Sequence, residues 1–127
     1  ASKEILDTCF YIHTELGPGL LESVYEECLF YFLKKRNLKV ERQKILPVSI
    51  GGITIPTGLK LDLIVDDSIV VELKAVEKLL PVHEAQIHTY LKISKMPLGL
   101  LINFNVKSLK DGIRRIAKTQ NLRENFV

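Results

Sequence analysis

Two carboxylates, Asp62 and Glu72, stand on either side of the turn-forming run Asp66-Asp67-Ser68, and Lys74 follows two residues after the glutamate. In the surrounding stretch, LKLDLIVDDSIVVELKA from Leu59 to Ala75, apolar residues alternate at a period of two on both sides of the turn, the pattern of paired half-buried strands. A three-residue turn sets Val65 opposite Ile69 and therefore Asp62 opposite Glu72, whereas a two-residue turn would send the two acids to different faces. In the three-residue register one face is Leu61, Leu63, Val65, Ile69, Val71 and Leu73, apolar throughout, and the other carries Lys60, Asp62, Ile64, Val70, Glu72 and Lys74.

Directly opposed residues on antiparallel strands have Cβ atoms about 4.5–5.5 Å apart, and like charges there repel. A divalent cation between them reverses the sign, and carboxylate oxygens are hard ligands suited to Mg²⁺ or Mn²⁺. Lys74 shares the face and is placed to orient a water beside such an ion. Asp, Glu-x-Lys and a divalent ion together suit phosphodiester hydrolysis, where the ion activates water and offsets developing charge. The same letters also fit an exposed mixed-charge face on which Lys60 and Lys74 neutralise the acids.

Other elements must hold this hairpin. Ile5, Leu6, Cys9, Phe10, Ile12, His13 and Leu16 predict a helix over about 3–16, stopped by Gly17-Pro18-Gly19, and Leu21, Val24, Tyr25, Cys28, Leu29 and Phe32 predict a second, to about Arg36. Strands are expected at 40–45, 47–50 and 53–55, the last two joined at Gly51-Gly52, before the hairpin strands at 59–65 and 69–75. A helix over about 83–94 separates these from LGLLINFN, Leu98–Asn105, an apolar run expected to be covered on both sides. That helix predicts a crossover and a parallel strand pair. Ser108 is placed to cap a last helix carrying Leu109, Ile113 and Ile116, with a mobile tail after Thr119. Helices and strands in this order indicate an α/β (α+β) domain, a central mixed sheet flanked by helices.

The chain has 127 residues, 46% hydrophobic and 26% charged, a globular composition with room for one cored domain. No apolar run reaches the roughly 18 residues that span a bilayer, and ASKEILDTCF lacks the layout of a secretion signal, so a cytoplasmic protein without a membrane role is expected. Cys9 and Cys28 lie within helical apolar patterns without metal-like spacing and read as free thiols. The net charge of +3 is concentrated in two clusters. Lys34, Lys35, Arg36, Lys39, Arg42 and Lys44 form one, and Lys107, Lys110, Arg114, Arg115, Lys118 and Arg123 the other. Either could track a phosphate backbone or be a solvated face.

Four motifs in order resemble the PD-(D/E)xK nuclease superfamily in its RecB-like branch, and more closely the small proteins called the GxxExxY family. They are GLLESVY (Gly19, Glu22, Tyr25), GLKLD (Gly58, Asp62), VVELKA (Glu72, Lys74) and QIHTY (Gln86, Tyr90), and the resemblance runs from about Ile5 to Ile116. It implies a restriction-endonuclease-like core over a single domain, 1–127. It implies a Mg²⁺ or Mn²⁺ ion on Asp62, Glu72 and the backbone carbonyl of Leu73, with Glu22 binding directly or through water. Lys74 would orient the attacking water, and Gln86, Tyr90 and Tyr25 would contact substrate or brace the site. The histidine ligand of some relatives has no secure equivalent: His13 is expected in the core, and His83 and His88 at the surface. The implied function is a metal-dependent nuclease acting on nucleic acid, DNA before RNA, alone or with a homodimeric or other protein partner. The alternative is a non-catalytic nucleic-acid-binding or regulatory module on the same fold.

Overall fold

The computed structural model describes residues 1–118; the expected tail after Thr119, and Arg123 with it, lies outside the described residues. The element order is α1 (Ser2–Leu16), α2 (Glu22–Lys35), β1 (Val40–Ile50), β2 (Ile53–Val65), β3 (Ile69–Lys74), α3 (Pro81–Ser94), β4 (Leu98–Asn103) and β5 (Ile113–Ala117). The strands form one sheet in chain order, β1-β2-β3-β4-β5. Among the described residues only β3–β4 is parallel, joined through α3 as the expected crossover; the other three pairs are antiparallel. This is the expected mixed sheet with helices on both sides. No described helix is long and apolar enough to cross a membrane.

Two layers of core form because each helix has one apolar stripe to bury. Ile5, Cys9 and Ile12 of α1 and Tyr25, Leu29 and Leu33 of α2 pack on Leu63, Val65, Ile69, Val71 and Leu73. Ile87 and Leu91 of α3 pack on the other face with Leu59, Leu61, Ile64, Val70, Leu101 and Ile116. β4 lies between both layers and is buried along almost its whole length, as its unbroken apolar run implies. Helix α1 ends where Gly17 turns to φ 72 and its N–H donates to the carbonyl of His13. Cys9 is buried and Cys28 half-buried, both free thiols.

Three expectations give way. The segments at 40–45 and 47–50 are one strand, β1, and those at 53–55 and 59–65 are another, β2, with an irregularity where Val48 pairs Ile55 while Leu46 pairs Leu59. Gly58 sits in that irregularity against Val48, whose methyl lies 2.5 Å from where a Cβ would stand, so the close approach requires glycine. The last helix is a short 3-10 turn, Leu109–Gly112, followed by β5. Ile113 packs with the α1/α2 layer and Ile116 with the α3 layer, which a helix placing both on one stripe could not do. Pairing with β4 overrides the helical spacing of these residues. Finally, the hairpin face is not apolar throughout on one side: Leu63 and Val65 join the α1/α2 layer, while Leu59 and Leu61 join the α3 layer. Strand β2 changes faces at Asp62.

Candidate active site

The hairpin turn has the expected register, with Val65 opposite Ile69 and Leu63 opposite Val71. Asp66 and Asp67 take φ 51 and 54, conformations that Asp tolerates better than most residues. Beyond Leu63–Val71 the ladder stops and the acids take over. The Asp62 N–H donates to Glu72 Oε1 at 3.0 Å, and the Leu73 N–H donates to Asp62 Oδ2 at 3.1 Å. Each carboxylate thereby satisfies a backbone donor on the opposite strand that would otherwise be buried without a partner.

Glu72 is only 4% exposed. Burial, and then the negative charge of Asp62, push its carboxyl up to about 8, against the opposing pull of the Asp62 N–H and of Lys74. The mixed-charge surface face is therefore not what this hairpin presents: Ile64, Val70 and Glu72 are buried there, and α3 covers part of it. Lys74 is half-buried and its ammonium donates to Gln86 Oε1 at 3.4 Å. Tyr90, one helical turn beyond Gln86, has its hydroxyl raised by burial and then by Glu72 and Asp62, so it stands within the field of both acids. Glu22, exposed at the start of α2, is raised by desolvation and then by Asp62, with Lys74 opposing. Asp62, Glu72, Lys74, Gln86, Tyr90 and Glu22 thus converge from β2, β3, α3 and α2.

Tyr25 takes a different place. It is fully buried and stacked on Phe104 with ring centroids 4.4 Å apart. Its hydroxyl donates to the Gly17 carbonyl at 2.7 Å and accepts from the Leu20 N–H at 3.2 Å. It braces the Gly17–Leu20 loop from which α2 and Glu22 begin. His13 is half-buried with Nε2 donating to the Val106 carbonyl at 2.8 Å. His83 Nδ1 accepts from the Leu80 N–H at the start of α3 at 3.0 Å, and His88 is exposed.

One residue the motifs do not contain also shapes the site. Asn103, 1% exposed, pairs with Lys74 across β3–β4. Its Oδ1 accepts from the N–H groups of Val76 and Asn105, and its Nδ2 donates to the Val76 carbonyl at 2.9 Å. With the Phe104 N–H donating to the Lys74 carbonyl, this amide fixes the chain immediately after Glu-x-Lys. The signal in the sequence is a polar residue inside an otherwise apolar strand, where burial demands satisfied hydrogen bonds.

Among the described residues no group of three or more His, Cys, Asp or Glu side chains is assembled closely enough to hold a metal ion, so Glu22 does not close a three-acid cage with Asp62 and Glu72. The pair itself fits a hard cation. It offers oxygen donors only, one oxygen of each acid is fixed by a backbone N–H, and the repulsion that raises Glu72 is what a cation would relieve. Mg²⁺ in particular keeps several waters and needs few protein ligands.

Several cations of the two basic clusters lie far from Glu22 along α2 or are held by other partners. Glu22 begins α2 while Lys34 and Lys35 end it, about 20 Å away along the helix axis. Within the first cluster Lys39, Arg42 and Lys44 are paired with Asp67, Glu26 and Glu41. In the second, Arg115 donates to the Ser2 hydroxyl and Arg114 to carbonyls of its own turn.

Compared with known proteins, residues 1–116 match the family model described as the PD-(D/E)XK nuclease superfamily. No curated protein and no solved structure gives a significant match.

Proposed function

The chain belongs to the PD-(D/E)XK nuclease superfamily, and from that premise we propose that it is a metal-dependent nuclease of the RecB-like, GxxExxY type, hydrolysing phosphodiester bonds in DNA before RNA. The observation that carries the reading is the reciprocal bonding of Asp62 and Glu72 at the point where their strands part, with Lys74 held beside them by Gln86.

Asp62 and Glu72 would hold Mg²⁺ or Mn²⁺, joined by the Leu73 carbonyl, with Glu22 acting through water. A bound divalent ion supplies positive charge to the phosphoryl oxygens and lowers the pKa of water. The chain's own residues do the rest. The Lys74 ammonium orients the attacking water and offsets charge that develops in the transition state. Gln86 holds that ammonium in place, and Tyr90 closes the α3 side of the site. Tyr25 acts at a distance, by setting the loop from which α2 and Glu22 begin. A second copy or a protein partner would extend the grip of so small a domain on a duplex.

Calorimetry with Mn²⁺ on the parent and Asp62→Asn, combined with cleavage assays on duplex, single-stranded and branched DNA and on RNA, tests this. Heat is expected for the parent and none for Asp62→Asn. Lys74→Ala should lower kcat about 10²–10³-fold while nucleic-acid affinity stays nearly intact. Absence of heat in the parent, or cleavage by Lys74→Ala at the parent's rate, would sink the proposal.

A second reading, a nucleic-acid-binding or regulatory module without catalysis, draws on the position of Glu22 outside a three-acid cluster. Lys74 is then one cation among many, and its loss costs a small part of the affinity and slightly flattens the salt dependence. A parent that binds nucleic acid and cuts none of the panel with either ion decides for this module.

A further inference from the structure

Arg42 and Gln43 are consecutive on β1, yet both reach the same carboxylate. Arg42 Nε and Nη2 donate to Glu26 Oε2 at 3.2 and 3.0 Å, and Gln43 Nε2 donates to Glu26 Oε1 at 2.6 Å. Neighbours on a regular strand point to opposite faces and cannot do this. They do it here because Gln43 has φ 49, a left-handed conformation that costs a non-glycine residue about 1–2 kcal/mol. Glu26 lies on α2, one turn after Glu22, and is 7% exposed. A buried carboxylate with three donors from two adjacent residues is a firm anchor.

The level at which this happens is the level of Asp62. Arg42 pairs Leu63 and Lys44 pairs Leu61, so Gln43 faces Asp62, and at that step the two residues form no regular pair. Both strands change faces there. On β1, Val40 packs in the α1/α2 layer and Leu46 in the α3 layer; on β2, Leu63 and Leu61 divide in the same way. Asp62 therefore stands where β2 is rotated and its own ladder partner has been withdrawn. Its carboxylate accepts the Leu73 N–H across the other strand pair.

We infer that Gln43 is a positioning residue for Asp62: its left-handed backbone, anchored on Glu26, turns β2 so that the Asp62 carboxylate meets Glu72. The inference rests on the proposed ion site for its consequence, though not for its geometry. An extended residue at position 43 would restore the Gln43–Asp62 ladder step, remove the rotation and draw Asp62 away from Leu73 and Glu72. Because Gln43 is exposed on an edge strand, substitution there opens no cavity.

Backbone conformation is separated from side chain by two variants of the full chain. Gln43→Gly keeps φ 49 without strain but loses the bond to Glu26; Gln43→Val strongly disfavours positive φ. With Mn²⁺ as the probe in calorimetry, Gln43→Gly should bind within about threefold of the parent and Gln43→Val at least tenfold more weakly, in line with the 10–100-fold that supporting residues contribute at metal sites. A second readout needs no metal: exchange of the Leu73 amide proton, accepted by Asp62, should quicken in Gln43→Val and stay slow in Gln43→Gly. If Gln43→Val fails to fold, Gln43→Ala takes its place. Parent-like Mn²⁺ affinity and Leu73 protection in the Val or Ala variant would overturn the inference, and so would equal losses in the Gly and Val variants. Should the parent bind no Mn²⁺, the ion site falls, and the Leu73 exchange still decides whether Gln43 positions Asp62.

Discussion

The two ends of the β2–β3 pair are built from the same strands to opposite ends. At the turn, Leu63, Val65, Ile69 and Val71 are paired backbone to backbone and buried against α1 and α2. A few residues further on, Asp62 and Glu72 replace ladder bonds with carboxylates, and both acids stand near Lys74 and Tyr90. One end gains from burial and regular hydrogen bonds. The other places like charges together under cover, an arrangement that costs stability while both are ionised. The difference separates what holds the hairpin from what the hairpin holds.

That division predicts that mutations at the two ends move stability in opposite directions. Leu63→Ala, at a fully buried position, should destabilise the protein by about 2–5 kcal/mol, read as a lower urea midpoint with an unchanged slope. At the acid end the pH dependence is large as well. Glu72 has a folded-state pKa raised above its ordinary value, so the stability it contributes is full below about 4.5 and is lost as pH rises through about 8. The metal-free protein should therefore weaken by a few kcal/mol over that window, and saturating Mn²⁺ should flatten the slope. A flat metal-free profile between pH 4.5 and 8 would break the comparison. Glu72→Gln keeps the acceptor for the Asp62 N–H and gives Asp62 a donor in place of a charge. It should be more stable than the metal-free parent at pH 8 by about 1–3 kcal/mol, while binding no Mn²⁺; a less stable variant would mean that the charge is not what costs. Smallest of all, Lys39→Ala removes the exposed ion pair with Asp67 at the turn and should leave the thermal unfolding curve where it was.

Much of this could be read from letters because the forces involved are local. Period-two alternation and the Asp-Asp-Ser turn set the hairpin register, and the four-residue spacing of Gln86 and Tyr90 put both on the side of α3 that meets the acids. The face change at Asp62 left no trace. Leu59, Leu61, Leu63 and Val65 alternate evenly, and the rotation comes from φ 49 at Gln43 and a carboxylate on a distant helix. The last strand was hidden because Leu109, Ile113 and Ile116 fit a helical stripe, and only the open edge of β4 decides between the two forms. Tyr25 sits within the motif without showing from its spacing that its hydroxyl is spent on the Gly17–Leu20 loop.

The strictly sequential strand order has a temporal consequence. Contacts between chain neighbours close quickly, a hairpin in about 1–10 μs, so Asp62 and Glu72 can come together as soon as β3 exists. Gln86, Tyr90 and the Asn103 amide belong to a later stretch, and β3–β4 pairing must close the loop that contains α3, a slower, non-local event. At about 5–20 residues per second of synthesis, Asn103 leaves the ribosome seconds after Glu72. For that interval a growing chain carries the acid pair open to water, without the amide that fixes the lysine strand.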